Sequence, residues 1–550
     1  MFELNLPDTL NAADYFIDRN VREGRGSNIA IECGDERVPY DALLERVNRV
    51  GSALRGQFGV RIEERVALIL VDGPEFIYSF FGAIKIGAVA VPINTLWKPQ
   101  DYAYVLNDCR ARVLIVSASL LPQISAIPRD TLRYLQHIIV VGHAAPVDPP
   151  DLPPSPEGYG GQVVRSGTDR DGRISFSTVI AAGDAALQPE ATRKDDAAFW
   201  LYSSGSTGFP KGCVHLHRHM PFCASAYASG VLGITANDRC FSVAKLFFAY
   251  GLGNGMYFPF SVGATAILWP GPPTAANVYS TIERYRPTLL FSVPTNYAML
   301  LAHERVPDFD LSTVRLGVSA GEALPPALYE RFKTRFGVEI LDGIGSTEVL
   351  HIFISNRPGQ AKPGTSGRLV DGYDARIVDD EGKPVPAGEI GNLLIKGDSI
   401  CSMYWNRRDQ TRATIEGEWI RTGDKYSQDD EGYFCYAGRC DDMLKVGGIW
   451  VSPMDVENAL IEHSAVLECG VIGRYDHDRL IKPAAYVVLR DGIVGSPELA
   501  ASLREFVRGK LADYKRPRWV EFVPSLPKTA TGKIQRFRLR EIAEQTEIHL

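Results

Sequence analysis

A chain of 550 residues is too long for one hydrophobic core and divides into two or more domains. Its 45% hydrophobic and 23% charged residues are those of an ordinary soluble globular protein. A net charge of -7 argues against a nucleic-acid binder, whose footprint is basic, while leaving room for a local basic patch toward a phosphorylated ligand.

The first residues, MFELNLPDTLNAADYF, carry acidic side chains and no apolar segment, so no signal peptide is expected. Residues 66–93 form the most apolar long region, but Asp72, Glu75 and Lys85 interrupt it. A buried strand and helix is expected there, not a membrane span. Short apolar runs recur at 65–71, 88–94, 111–117, 137–142, 265–270, 287–294 and 315–321. Continuous β-branched runs between helical stretches predict parallel strands buried on both faces, hence α/β layers. The proline- and glycine-rich residues 147–162 read as a surface spacer.

From about residue 374 the pattern changes to alternating strands with turns at Asp380-Glu381-Gly382 and Ala387-Gly388, a hairpin-rich β part. After Arg439 a smaller α+β unit begins, with strand-like HSAVLECGVIG and KPAAYVVL and the helical SPELAASLREFVRGKLADY. The nine scattered cysteines include no C-x-x-C, and Cys435 and Cys440 lack zinc-ligand spacing. They read as reduced thiols of a cytoplasmic protein.

The stretch YSSGSTGFPKG (202–212) asks whether it cradles phosphate. It fails the G-x-x-x-x-G-K-[ST] template, because Gly212 follows Lys211 and no magnesium-binding hydroxyl does; Gly532-Lys533 is likewise followed by Ile534. Its glycines nevertheless allow close approach to an anion, successive N–H groups can form a nest, and hydroxyls and Lys211 add donors and charge. It follows a strand-like DDAAFWLY and is expected at that strand's carboxyl end, ahead of an apolar helix. The neighbouring HLHRH (His215, His217, His219) invites a metal reading; at a helix start, i and i+2 do not share a face, and structural histidines are expected.

YSSGSTGFPKG resembles the phosphate loop of the adenylate-forming superfamily, which includes acyl- and aryl-CoA ligases, peptide-synthetase adenylation domains and firefly luciferase. SAGEALP (319–325), LDGIGSTE (341–348), RTGD (421–424), GRCDDMLKVGGIWVSPMDVE (438–457) and PKTATGK (527–533) resemble that family's other blocks, in its order and across nearly the whole chain. The resemblance implies an α/β fold: a large N-terminal adenylation domain over 1–440, β-rich from about 365, and a small mobile α+β C-terminal domain over 441–550 hinged at Asp441. It implies attack of a carboxylate on the α-phosphorus of ATP, giving acyl-AMP and pyrophosphate, and then transfer to coenzyme A.

By the same resemblance Ser203, Ser204, Gly205, Ser206, Thr207, Gly208 and Lys211 hold phosphate, Gly321, Glu322 and Ala323 lie on the adenine side with Ile344 against adenine, and Asp342 and Gly343 also bind ATP or AMP. Asp424 and Arg439 meet the ribose, two carboxylate oxygens suiting two hydroxyls, and Tyr436 also binds ATP or AMP. Thr347 donates to phosphate, Glu348 holds Mg²⁺, and Lys533 reaches both the carboxylate and the α-phosphate. Gly447 and Gly448 let the pantetheine arm of CoA pass, and Lys445 is a candidate for thioester formation. Lysine acetylation at Lys533 would remove its charge. Ile344 departs from the family's aromatic against adenine, and Trp450 is bulky beside the CoA passage.

KLFFAYGLGNG (245–255) and STEVLHIFIS (346–355) look most like the benzoate-CoA ligase branch, which implies an aromatic carboxylate held by Ala249, Tyr250, Gly345, His351 and Ile352. His351 closes the pocket edge, bonds a ring substituent, or is a satisfied core histidine. Alternatives are another carboxylic acid, medium-chain or arylacrylic; transfer to a carrier protein in trans; a silent nucleotide-binding regulator; or a luciferase-like oxygenase. A homodimer is plausible, and no membrane span or nucleic-acid partner is expected.

Overall fold

The computed structural model describes residues 4–142, 173–203, 209–303, 309–440, 442–446, 449–476, 480–528 and 534–547. Two sheets, with the helices around them, build the chain as far as Leu369. In one, Arg65–Ile69, Val89–Pro92, Val113–Ser117 and His137–Val141 run parallel, with Ala197–Ser203 added beside Val89–Pro92. In the other, Thr265–Ile267, Arg239–Ser242, Leu289–Ser292, Leu316–Ser319 and Ile340–Gly345 are parallel neighbours. The strands within residues 65–71, 88–94, 111–117, 137–142, 265–270, 287–294 and 315–321 are the expected continuous apolar runs, while Arg239–Ser242 and Ile340–Gly345 carry polar residues and are not among them.

One contiguous core joins the two sheets through the helices Tyr40–Gly56 and Pro74–Lys85. The second helix starts where extended Gly73 precedes Pro74, whose missing N–H costs nothing at a first turn. Every residue of this helix but Glu75 is buried, the last being Lys85 at 0% exposure. Lys85 is tolerated there because its ammonium meets the Asp18 carboxylate at 2.6 Å and the Asn48 amide oxygen. The apolar region 66–93 is thus strand, helix and strand, and no helix among the described residues is long and apolar enough to cross a membrane.

Two local expectations are corrected. The phosphate-loop stretch does not lead from strand to helix: Lys211–Leu216 is a strand antiparallel to Ala197–Ser203, with Ser203 opposite Lys211. His215 therefore sits in a strand, not at a helix start, and His219 opens a short helix beside it.

Beyond residue 370 an antiparallel sheet is built from Tyr373–Val378, Gly391–Gly397, Trp419–Gln428 and Phe434–Arg439 with the short Ile415–Glu416. The C-terminal part has a ribbon, Leu444–Val446 with Ile449–Val451, and a sheet of Val466–Tyr475, Ile481–Leu489 and Trp519–Phe522. Helices Pro453–Ile461 and Pro497–Arg508 close a separate core around Val456, Leu460, Val471 and Val487. Ser496 caps the second helix, accepting the Leu499 N–H at 3.2 Å. Helix Arg536–Glu547 is fastened by Arg536, which reaches both oxygens of Glu457 at 2.8 Å.

Candidate active site

The carboxyl ends of the parallel strands converge where ligands of open α/β sheets bind. Leu316–Ser319 and Ile340–Gly345 are neighbours, with Ser319 opposite Asp342. The segment with Gly321, Glu322 and Ala323 leaves the first, and Asp342 to Glu348 close the second. The Leu324 N–H donates to Asp342 Oδ2 at 3.2 Å and ties the two segments together. Burial pushes the Asp342 carboxyl up to about 8, and its Oδ1 has no partner among the described residues. Glu322 accepts from the Thr295 hydroxyl at 3.3 Å. Gly343 and Gly345 are demanded by the adjoining strand Ile352–Ser355: an added Cβ would lie 2.8 Å from the Ile354 carbonyl oxygen and 2.6 Å from that of His351. Ile344 is half-buried against the core, opposite Ile354.

The second sheet brings its hairpin to this edge. Ser203, at the base of the loop, donates to Glu348 Oε1 at 3.1 Å. The same oxygen accepts from the Tyr404 hydroxyl at 2.9 Å. Burial, then the Glu348 charge, holds that phenol far above its ordinary range, so it is a donor. The Lys211 ammonium lies 4.7 Å from the centre of the Tyr404 ring. Phe209 stacks on Tyr104 at 4.4 Å, and the Tyr104 hydroxyl donates to the Pro210 carbonyl at 3.3 Å, pinning the outgoing arm of the loop.

His215 donates from Nε2 to the Thr347 carbonyl at 2.8 Å, just before Glu348. Its other nitrogen meets His219 Nδ1 at 3.1 Å, while His217 Nδ1 accepts the Ala12 N–H at 3.0 Å. Burial lowers His215 and His217 to about 4, so both rings are neutral at physiological pH and engaged in protein hydrogen bonds. Glu348 Oε2 has no partner among the described residues. A half-buried carboxylate set among hydroxyl oxygens is a hard donor set that fits Mg²⁺.

On the β-rich sheet, Asp424 and Arg439 are cross-strand partners. Arg439 Nη1 donates to Asp424 Oδ1 and to the Thr422 carbonyl, each at 3.1 Å. Asp424 is 7% exposed, and Tyr436 packs on Tyr426 at 5.4 Å in the same sheet, its phenol raised by burial.

The acyl-side residues also meet. Ala249 and Tyr250 open a short helix, and the Tyr250 hydroxyl lies 3.1 Å from the carbonyls of both Ser292 and Val318, at the ends of two parallel strands. His351 is buried among Tyr227, Tyr250, Tyr257 and Phe258, the last with ring centroids 4.4 Å away. Gly253 makes room for it: a Cβ there would lie 2.5 Å from His351 Cδ2. Ile352 is buried opposite Gly345.

Ser204, Gly205, Ser206, Thr207, Gly208, Asp441, Gly447, Gly448 and Lys533 lie outside the described residues. Lys445 is described by its backbone, which pairs with Trp450 in the ribbon.

The model of the family "AMP-binding enzyme" matches residues 17–405, and that of the "AMP-binding enzyme C-terminal domain" matches 455–533. The chain belongs to the AMP-binding enzyme family. It is 47% identical to the benzoate–CoA ligase of Thauera aromatica over 98% of this chain and 97% of that one. To the 4-hydroxybenzoate–CoA/benzoate–CoA ligase of Rhodopseudomonas palustris it is 44% identical, over 97% and 94%. Among solved structures, the anthranilate CoA ligase AuaEII in complex with anthranoyl-AMP superposes with a TM-score of 0.90 at 46% identity, covering 99% of each chain.

Within this family site, Tyr404 stands out as a residue that no sequence motif had marked, and His215, read in HLHRH as a structural histidine, gains a specific partner. Tyr404 reaches Glu348 because Met403–Tyr404 pairs with the hairpin strand, Tyr404 opposite Cys213. His215 reaches Thr347 across the two sheets. Neither spacing is periodic, so only the assembled sheets bring these groups together.

Proposed function

We propose that the protein activates benzoate or a ring-substituted benzoate with ATP and passes the aryl group to coenzyme A. The observation that carries this reading is the Ser203–Glu348 contact, which puts the glycine-serine hairpin of one sheet beside the acidic strand end of the other. Two further features support it: a ribose-suited Asp424–Arg439 pair and an aromatic enclosure around His351, three residues beyond Glu348.

In the first step a carboxylate oxygen bonds the α-phosphorus and the bond to pyrophosphate breaks. Both reactants are anionic, so donors must meet charge as it develops. The hydroxyls and N–H groups of residues 203–208, Lys211 and Thr347 bind and orient the phosphates in this reading, and Lys533 enters to contact the carboxylate and α-phosphate. Glu348 would hold Mg²⁺, which when bound offsets phosphate charge. Asp424 and Arg439 fix the ribose, and Asp342 and Ile344 lie along adenine. In the second step the CoA sulfur bonds the acyl carbon, the carbon–oxygen bond to phosphate breaks, and AMP leaves. The small domain turns at Asp441 between steps, withdrawing Lys533 and presenting Lys445, Gly447 and Gly448. Ala249, Tyr250, Gly345, His351 and Ile352 shape a slot for a planar ring.

A panel of benzoate, hydroxy-, amino- and halobenzoates, cinnamates and medium-chain acids tests this, with AMP release measured in ATP, Mg²⁺ and CoA. Benzoates lead in kcat/KM on this reading; a lead by medium-chain acids refutes it.

A further inference from the structure

We propose that Tyr404 is a positioning residue for adenylation, turning the Glu348 carboxylate so that Oε1 is spent on protein donors and Oε2 is left for a divalent cation. The proposal rests on the reading of Glu348 as the residue that holds Mg²⁺. Tyr404 is 3% exposed, and its surroundings are fixed by backbone bonds. The Trp405 N–H donates to the Gly212 carbonyl at 2.8 Å, and the Cys401 N–H to the Glu348 carbonyl at 2.7 Å. The Tyr404 N–H itself donates to Thr411 Oγ1 at 3.1 Å. Segment 401–405 is thereby fastened both to the phosphate hairpin and to the residue it orients.

A carboxylate has two oxygens and could share two donors between them. Here both the Tyr404 and Ser203 hydroxyls converge on Oε1, at 2.9 and 3.1 Å. That arrangement fixes the rotation of the carboxylate group. A tyrosine that merely needed a partner for a buried hydroxyl would not require the second donor on the same atom. The other face of the side chain serves the loop, since the ring carries the Lys211 ammonium at 4.7 Å. One residue thus links the cation-holding carboxylate to the phosphate-loop lysine.

Mn²⁺ binding to the enzyme–ATP complex, without acid or CoA, is followed by electron paramagnetic resonance in wild type, Y404F, Y404L and E348Q. Y404F keeps the ring and loses the hydroxyl. It should weaken Mn²⁺ binding roughly tenfold, the loss of one hydrogen bond to a charged group. Metal-free ATP affinity and CoA transfer from supplied benzoyl-AMP should stay at wild-type levels. Y404L should weaken metal-free ATP binding as well. Wild-type Mn²⁺ affinity in Y404F alongside loss in E348Q overturns the role of Tyr404. Retained affinity in E348Q overturns the reading of Glu348 itself. A loss in Y404F spread evenly over ATP binding and CoA transfer reduces Tyr404 to a structural residue and also overturns the proposal.

Discussion

His351 donates its Nε2 proton to the backbone carbonyl of Tyr250 across 3.3 Å, which leaves Nδ1 as an acceptor with no partner among the described residues. Burial lowers the imidazole to about 3, so the ring is neutral throughout the working pH range. An acceptor held in an aromatic enclosure discriminates ring substituents by what they can donate. His351→Ala should therefore change the ranking of amino- and hydroxybenzoates relative to benzoate by roughly tenfold in kcat/KM, the worth of one hydrogen bond. The wild-type ranking should be constant from pH 6 to 9. An unchanged ranking in the variant makes His351 structural.

Asp342 has a consequence for stability that pH reveals. The folded carboxyl, raised by burial to about 8, keeps its proton, whereas an unfolded aspartate releases it near 4. Between those limits the native state binds more protons than the unfolded state, so this group makes stability fall as pH rises from about 4 to 8. Asp342→Asn carries no such titration. In urea unfolding, the variant should gain on wild type from pH 5 to about pH 8 and then level off; a constant difference from pH 5 to pH 8 would show that Asp342 does not titrate in that window.

The Lys85–Asp18 pair bears on folding rather than chemistry. With Lys85 at 0% exposure, Asp18→Ala leaves a buried ammonium without its carboxylate. Breaking a buried pair from one side costs about 3–5 kcal/mol. The double variant Asp18→Ala, Lys85→Met should recover most of that loss. Comparable midpoints for single and double variants in denaturant would rule out the charge as the cause.

On the proposed reading, Lys533 acts in the first half-reaction alone. The residues bracketing its loop are close, Lys528 forming an antiparallel bridge with Ile534. Lys533→Ala should abolish acyl-AMP formation and leave CoA transfer from supplied benzoyl-AMP largely intact. Acetylation at this lysine should have the same effect, since it removes the charge. Equal loss of both steps would refute the division of labour.

The parallel strands were legible because burial on both faces leaves runs such as RVALI and VLIVS uninterrupted. The strand Lys211–Leu216 was not. Its lysine and histidine disguise it, and His215 is tolerated in the interior only because the Thr347 carbonyl, distant in sequence, accepts its proton. The convergence of Asp424 and Arg439 was readable as family blocks, while their cross-strand register emerged only in the fold. Tyr404 carried no signal, since its partners Glu348 and Lys211 are distant in sequence and meet it only in the fold.

The central claim is two-step aryl activation, and product analysis tests it most directly. The protein is incubated with benzoate, ATP and Mg²⁺, with and without CoA, and products are resolved by mass spectrometry. Benzoyl-AMP and pyrophosphate without CoA, and benzoyl-CoA with AMP in its presence, are the predicted result. ADP and phosphate as nucleotide products, or no benzoyl adduct in either arm, would contradict it.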